Sequence, residues 1–160
     1  MINFENIRNT VITGLENYLG CPVIRSNQNE SPPHYPYLSY TVTTFMKENK
    51  GSYGLYEDNV ERKPFTQTWS ITVQSNNNSE CLSLVNMAHE WLDLVGKTYL
   101  SDNGVIVQSV GSITNRDNFL TSEYEYRNGF DVVFWLMNEV ERTTEEIETA
   151  KLTQVEYENM

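Results

Sequence analysis

The segment PFTQTWSITVQS, residues 64–75, puts Phe65, Trp69, Ile71 and Val73 on one side of an extended chain, with Gln67 as the exception on that side. Period-two alternation in β-branched and aromatic residue types is the pattern of a half-buried strand. A second long segment, SEYEYRNGFDVVFWLM at 122–137, repeats it: Phe130, Val132, Phe134 and Leu136 alternate with Asp131, Val133, Trp135 and Met137. Two strands that each carry a full apolar face must be covered by another layer, and this requirement limits the chain to a sheet packed under helices or under a second sheet.

The covering layer is legible as helices. From Asn3 to Leu19, the residues Phe4, Ile7, Val11, Ile12, Leu15, Tyr18 and Leu19 recur every three or four positions, and Gly20 before Cys21-Pro22 supplies the stop. A second helix starts in NNNSE, with Asn78 or Ser79 as its cap. It carries Leu82, Val85, Ala88, His89, Leu92 and Val95 at helical spacing, and ends at Gly96.

Between these helices, Val23–Arg25 can make a short extended segment. NESPPHYP is then a loop, because its prolines remove backbone donors, and a strand begins after Pro36 with YLSYTVTTFMKE. A further strand is expected in GVIVQSVGSIT, 104–114, and Arg127-Asn128-Gly129 reads as a bulge or a bend. The connection NKGSYGLYEDNVERK, 49–63, is too long for an ordinary hairpin loop and reads as a mobile segment or a functional arm.

The order helix, strand, strand, helix, strand, strand groups strands in pairs. It points to an α+β fold: an antiparallel sheet of about four strands with two helices packed on one face. A chain of 160 residues suits one domain, placed at 1–138. Residues 139–160 form an acidic tail, with seven glutamates against Arg142 and Lys151.

Charge narrows the function. A formal charge of -11 argues against holding nucleic acid by neutralising phosphates. No apolar run reaches membrane-spanning length, the N-terminal residues lack the features of a signal peptide, and the chain is expected to be cytosolic at synthesis. Cys21 and Cys81 have no CxxC spacing and are expected to be free thiols packed as small apolar groups.

No catalytic, cofactor or metal site emerges. HEWLD at 89–93 opens like a zinc-protease helix, but Asp93 stands where the second histidine belongs, and His34 lies in the proline loop. Phosphate-loop, dinucleotide and nucleophile-elbow motifs are missing, and Glu57-Asp58 and Glu145-Glu146 read as solvated acidic pairs. The aromatics of HYPYLSY with Tyr53 and Tyr56 could stack on bases, but few basic residues accompany them, and packing or protein contact explains them better.

The stretch VIRSNQNESPPHYPYLSYTV resembles a segment of the phage neck or tail-terminator family. There an I-R-x-x-Q string leads through prolines to Pro-Tyr at a strand start, here Ile24, Arg25, Gln28, Pro32 or Pro33, Pro36 and Tyr37, followed by Tyr40 and Val42. The likeness in element order covers residues 1 to about 138, with the acidic tail outside it. It implies a non-enzymatic virion protein that assembles with itself, commonly as a hexameric ring. Such a ring ends the tail tube, contacts the major tail tube protein and the head connector, and lets DNA pass its lumen without specific binding. In that setting the 48–63 connection is the expected arm and oligomer interface, with Tyr53, Leu55 and Tyr56 as anchors and Lys50 and Arg62 beside them. The other reading is a non-enzymatic binding module for a small ligand or host protein, using the tyrosine-rich surface.

Overall fold

In the computed structural model, residues 1–48, 54–119 and 124–141 are described. The chain is α+β, as expected, but among the described residues it has three α-helices and a mixed sheet with more strands than the anticipated four. The strands are β1 (Val23–Arg25), β2 (Tyr37–Glu48), β3 (Leu55–Glu57), β4 (Val60–Ser75), β5 (Ile106–Val110), β6 (Thr114–Asn115), β7 (Asn118–Phe119) and β8 (Tyr124–Glu141). They run β1-β2-β4-β8-β5 across the sheet, with β3 beside β4 and with β6 and β7 beside β8. The sheet is not purely antiparallel: β1 pairs with β2 in parallel, Val23 opposite Leu38 and Arg25 opposite Tyr40. The chain doubles back through the proline loop between them, so both strands leave in the same direction.

The centre is the β4–β8 pair, in unbroken register from Val60↔Glu141 to Ser75↔Tyr126. Ile71 faces Phe130, Trp69 faces Val132, Gln67 faces Phe134 and Phe65 faces Leu136, so the alternation of both sequences converges on one face. Against it pack Val11, Leu15 and Leu19 from α1 (Phe4–Leu19) and Cys81, Val85 and Ala88 from α2 (Asn78–Glu90). Burying each such large apolar side chain stabilises by roughly 1.5–3 kcal/mol. Gln67 belongs to this buried face, and both polar atoms of its amide are bonded there: Nε2 donates to the Phe45 carbonyl (3.0 Å) and Oε1 accepts from Trp69 Nε1 (2.7 Å).

The helices keep the sequence pattern with corrections. Gly20 caps α1 at φ 70°, its N–H donating to the Glu16 carbonyl at 2.8 Å, as the Gly-Cys-Pro stop requires. The cap of α2 is Asn77, one residue earlier than expected, with its side chain accepting from Glu80 N. Beyond Glu90 the helix widens into a π turn, Trp91–Val95, closed by Gly96 N to the Trp91 carbonyl at 2.7 Å, and α3 (Lys97–Asp102) follows. The wider turn keeps Trp91 and Leu92 inside and turns Val95 to solvent; Leu82 is exposed as well, so the buried stripe is Cys81, Val85, Ala88 and Leu92. The Trp91 ring lies where a Cβ on Gly14 or on Gly96 would stand, which accounts for a glycine in the middle of α1.

Arg127-Asn128-Gly129 is neither bulge nor bend, since β8 runs straight through it. A Cβ at position 129 would stand 2.3 Å from the Ile71 carbonyl and 2.7 Å from Arg116 Nη1. Gly129 is therefore a place of close approach: the Arg116 guanidinium lies across the strand there and donates to Ser70 Oγ (2.8 Å) and Thr72 Oγ1 (2.9 Å).

Candidate functional site

The 48–63 connection contains a β-hairpin. β3 turns back at Asp58 and Asn59, both left-handed at φ 52° and 63°, and pairs Leu55↔Arg62, Tyr56↔Glu61 and Glu57↔Val60. Adjacent left-handed residues twist a tight turn to match its strands, and short Asp and Asn side chains tolerate that conformation. β4 begins at Val60, four residues before the expected Pro64, and β8 runs to Glu141, so β3, β4 and β8 continue outward together as a three-stranded ribbon.

Side chains alternate across this ribbon. Leu55 shares a face with Arg62 and Glu139, and Arg62 Nε meets Glu139 Oε1 at 2.9 Å; Tyr56 shares the other face with Glu61 and Val140. Lys63 meets Glu48 at 3.0 Å. Both ion pairs are exposed, which limits each to well under about 1 kcal/mol. Leu55 is 68% exposed and Tyr56 50%, and Phe45, Met46, Met137 and Val140 are also exposed on this half of the sheet. By the alternation, Leu55 and Met137 lie on one face of the ribbon and Tyr56 and Val140 on the other. Of the residues expected at an oligomer interface, the structure brings Leu55, Tyr56 and Arg62 together on the ribbon, while Lys50 and Tyr53 lie outside the described residues.

The I-R-x-x-Q stretch lines two clefts on opposite sides of the sheet edge. On the helix side, Arg25 and Asn27 join Phe4, Arg8, Tyr40 and Phe45 around a cleft of about 410 Å³. On the other side, Ser26, Gln28 and Glu30 join Tyr37, Gln74, Glu125 and Arg127 around a more polar cleft of about 270 Å³. There the Tyr35 hydroxyl donates to Glu125 Oε2, and Arg127 Nε stands 3.6 Å from Glu125 Oε1. Tyr37 and Tyr40 are both buried, Tyr40 stacking on Trp69 at 4.8 Å between ring centres. Burial raises the Tyr40 phenol, and the nearby Arg8 and Arg25 guanidinium groups oppose that rise. Arg8 and Phe45 are expected only as parts of a helix and a strand, not as site residues; α1 and the irregular end of β2 bring them to Arg25.

The residues weighed for chemistry occupy structural positions. His89 is half-buried on α2, with Nε2 3.0 Å from the Gly111 carbonyl and its ring edge-on to Phe130. Cys21 and Cys81 are free and buried, and desolvation raises both thiols; at Cys81 the hydrogen bond from Asn128 opposes that rise. A raised thiol is a poor nucleophile at neutral pH. Among the described residues no group of three His, Cys, Asp or Glu side chains is placed to hold a metal ion.

A family model described as phage neck terminator protein matches residues 9–159 of this sequence. The chain belongs to the phage neck terminator family. As a neck terminator protein it has a structural role in the virion, at the neck, in contact with other virion components such as tail and head proteins. The match enters within α1 and runs on through the acidic residues after 138, further than the resemblance in element order reached. No protein of curated function matches the sequence. Among the solved structures that match, one is similar to this neck terminator protein at 13% identity, over 85% of this chain and 96% of the other, with a TM-score of 0.45. The family assignment rests on the family model.

Proposed function

We propose that this neck terminator protein assembles in the host cytoplasm into a ring, commonly hexameric in proteins of this kind, that ends the tail tube and joins it to the head connector. The observation that carries the reading is the ribbon of β3, β4 and β8, which leaves the core with Leu55 and Tyr56 exposed near its tip. A subunit with such an arm can lay it on its neighbour, and repetition of that contact closes a ring. Burying the exposed parts of Leu55 and Tyr56, 68% and 50% exposed, on neighbouring subunits would supply at most roughly 2–4 kcal/mol before the costs of ordering. The acidic chain suits a lumen that passes DNA without gripping its phosphates.

The test is the mass of the purified protein, alone and with the tail tube protein, by light scattering and negative-stain imaging, for the wild type and Leu55→Asp/Tyr56→Asp. Annular particles from the wild type and folded monomers from the variant are the expected pair of results. A variant that assembles like the wild type removes the arm from the interface. A wild type that stays monomeric even on tail tubes overturns the ring.

A further inference from the structure

The helix-side cleft combines two features. Its walls are aromatic, with Phe4, Tyr40 and Phe45, and its rim carries Arg8 and Arg25. The Arg8 ion pair is weak, with Nη2 3.9 Å from Glu5 Oε1, and the Arg25 side chain makes no hydrogen bond or ion pair among the described residues. An aromatic floor under two guanidinium groups fits a peptide that offers carboxylates beside apolar side chains.

This chain carries such a segment. Residues 142–160 read RTTEEIETAKLTQVEYENM, in which Ile147 and Tyr157 are each flanked by glutamates. The segment leaves the end of β8 at the ribbon, and the same stretch of β8 is tied to the start of α1: the Met1 amino group donates to the Glu139 carbonyl, and Phe4, three residues on, lines the cleft. At roughly 3.3 Å per residue the segment reaches about 60 Å when extended, more than enough to return to α1.

We infer that the cleft between α1, β1 and the irregular end of β2 is the docking site for the chain's own acidic C-terminal segment, with Arg8 and Arg25 taking its carboxylates and the aromatic walls its apolar side chains. The contact lies on a surface separate from the ribbon and needs no ring. Its strength is set by two exposed charge pairs and one small apolar contact, so it is salt-sensitive and reversible.

Cleavage after Glu156 by a glutamate-specific protease, followed by mass spectrometry on the full chain, tests this. In low salt the wild type should be cut about tenfold more slowly than Arg8→Glu/Arg25→Glu, a difference that high salt removes. Melting curves confirm that the variant is folded, since neither arginine is buried. Adding Glu145→Lys/Glu146→Lys/Glu148→Lys to the arginine variant should restore protection by reversing both signs of charge. Equal cleavage of wild type and arginine variant overturns the inference, and so does failure of the charge reversal. Protection that fades on dilution assigns the segment to a neighbouring copy and overturns the own-chain contact. Light scattering on the same samples separates these outcomes from ring formation.

Discussion

Gly129→Ala is the sharpest test of how the sheet is built. The added methyl would meet the Ile71 carbonyl at 2.3 Å, Arg116 Nη1 at 2.7 Å and Thr72 Oγ1 at 2.9 Å. The first of these is backbone of the adjoining central strand and cannot yield without opening the β4–β8 ladder, so overpacking costs about 1–3 kcal/mol. The second forces the guanidinium off Ser70 and Thr72; with the Arg116 side chain 29% exposed, water compensates in part, and the further loss is about 1–2 kcal/mol. The sum, about 2–5 kcal/mol, lowers the melting temperature by roughly 5–20 °C at this chain length. Calorimetry or circular dichroism melts measure it. Arg116→Ala alone should cost about 1–2 kcal/mol, and the double variant should cost less than the two single changes added together, because the arginine contacts can be lost only once. A Gly129→Ala protein melting within about 2 °C of wild type refutes the close-approach account. Strict additivity in the double variant refutes the role given to Arg116.

Other expectations follow from individual contacts. Gln67→Ala strands the Trp69 indole N–H in the core and leaves a cavity, so it should lose about 2–4 kcal/mol in a denaturant titration, whereas a surface glutamine would lose almost nothing. A disulfide-exchange reagent at neutral pH should leave Cys21 and Cys81 unmodified in the native protein and react with both after unfolding, because burial both shields the thiols and holds them protonated. Desolvation acts to raise the Asp117 carboxyl, but hydrogen bonds from Arg127 N, Asn115 and Tyr124 outweigh it and hold the group below its ordinary 3.8. A depressed acid stabilises the fold above its unfolded value and loses that contribution as pH falls through the folded value. Asp117→Asn should therefore cost less than about 1 kcal/mol at pH 7, the residue being only partly buried, and the gap to wild type should close below pH 3.8 in acid titrations of stability.

Much of the fold was legible because its central strands obey a strict period of two. Phe65 to Val73 and Phe130 to Leu136 each announce a buried face, and the register brings those faces together. Gln67 broke the pattern in the sequence, yet it is a core residue, since its amide serves the Trp69 indole and a neighbouring carbonyl at once. Elements of two or three residues, such as β3, β6 and β7, are too short to show periodicity, and the parallel pairing of β1 depends on a return path that composition does not reveal. The Asp58-Asn59 turn lacks the glycine that usually marks a two-residue hairpin, so the connection looked like an open arm. At the clefts, alternation placed Arg25 and Asn27 on one side and Ser26 and Gln28 on the other, but a string of letters read in a line hides that division. Arg8 joins the cleft because α1 packs beside the sheet edge, and Phe45 because the register of β2 shifts after Val42.

The unbroken β4–β8 register has a mechanical consequence. The ribbon that carries Leu55 and Tyr56 is the far end of the same strands that hold Trp69 and Phe130 in the core. A pull along the ribbon draws β4 and β8 together from the same end, and so loads their ladders with β2 and β5 in shear, where the rungs resist together; peeling would break them one at a time. An arm attached through a flexible loop would yield at its hinge, whereas this one passes tension straight into the packed centre of the subunit.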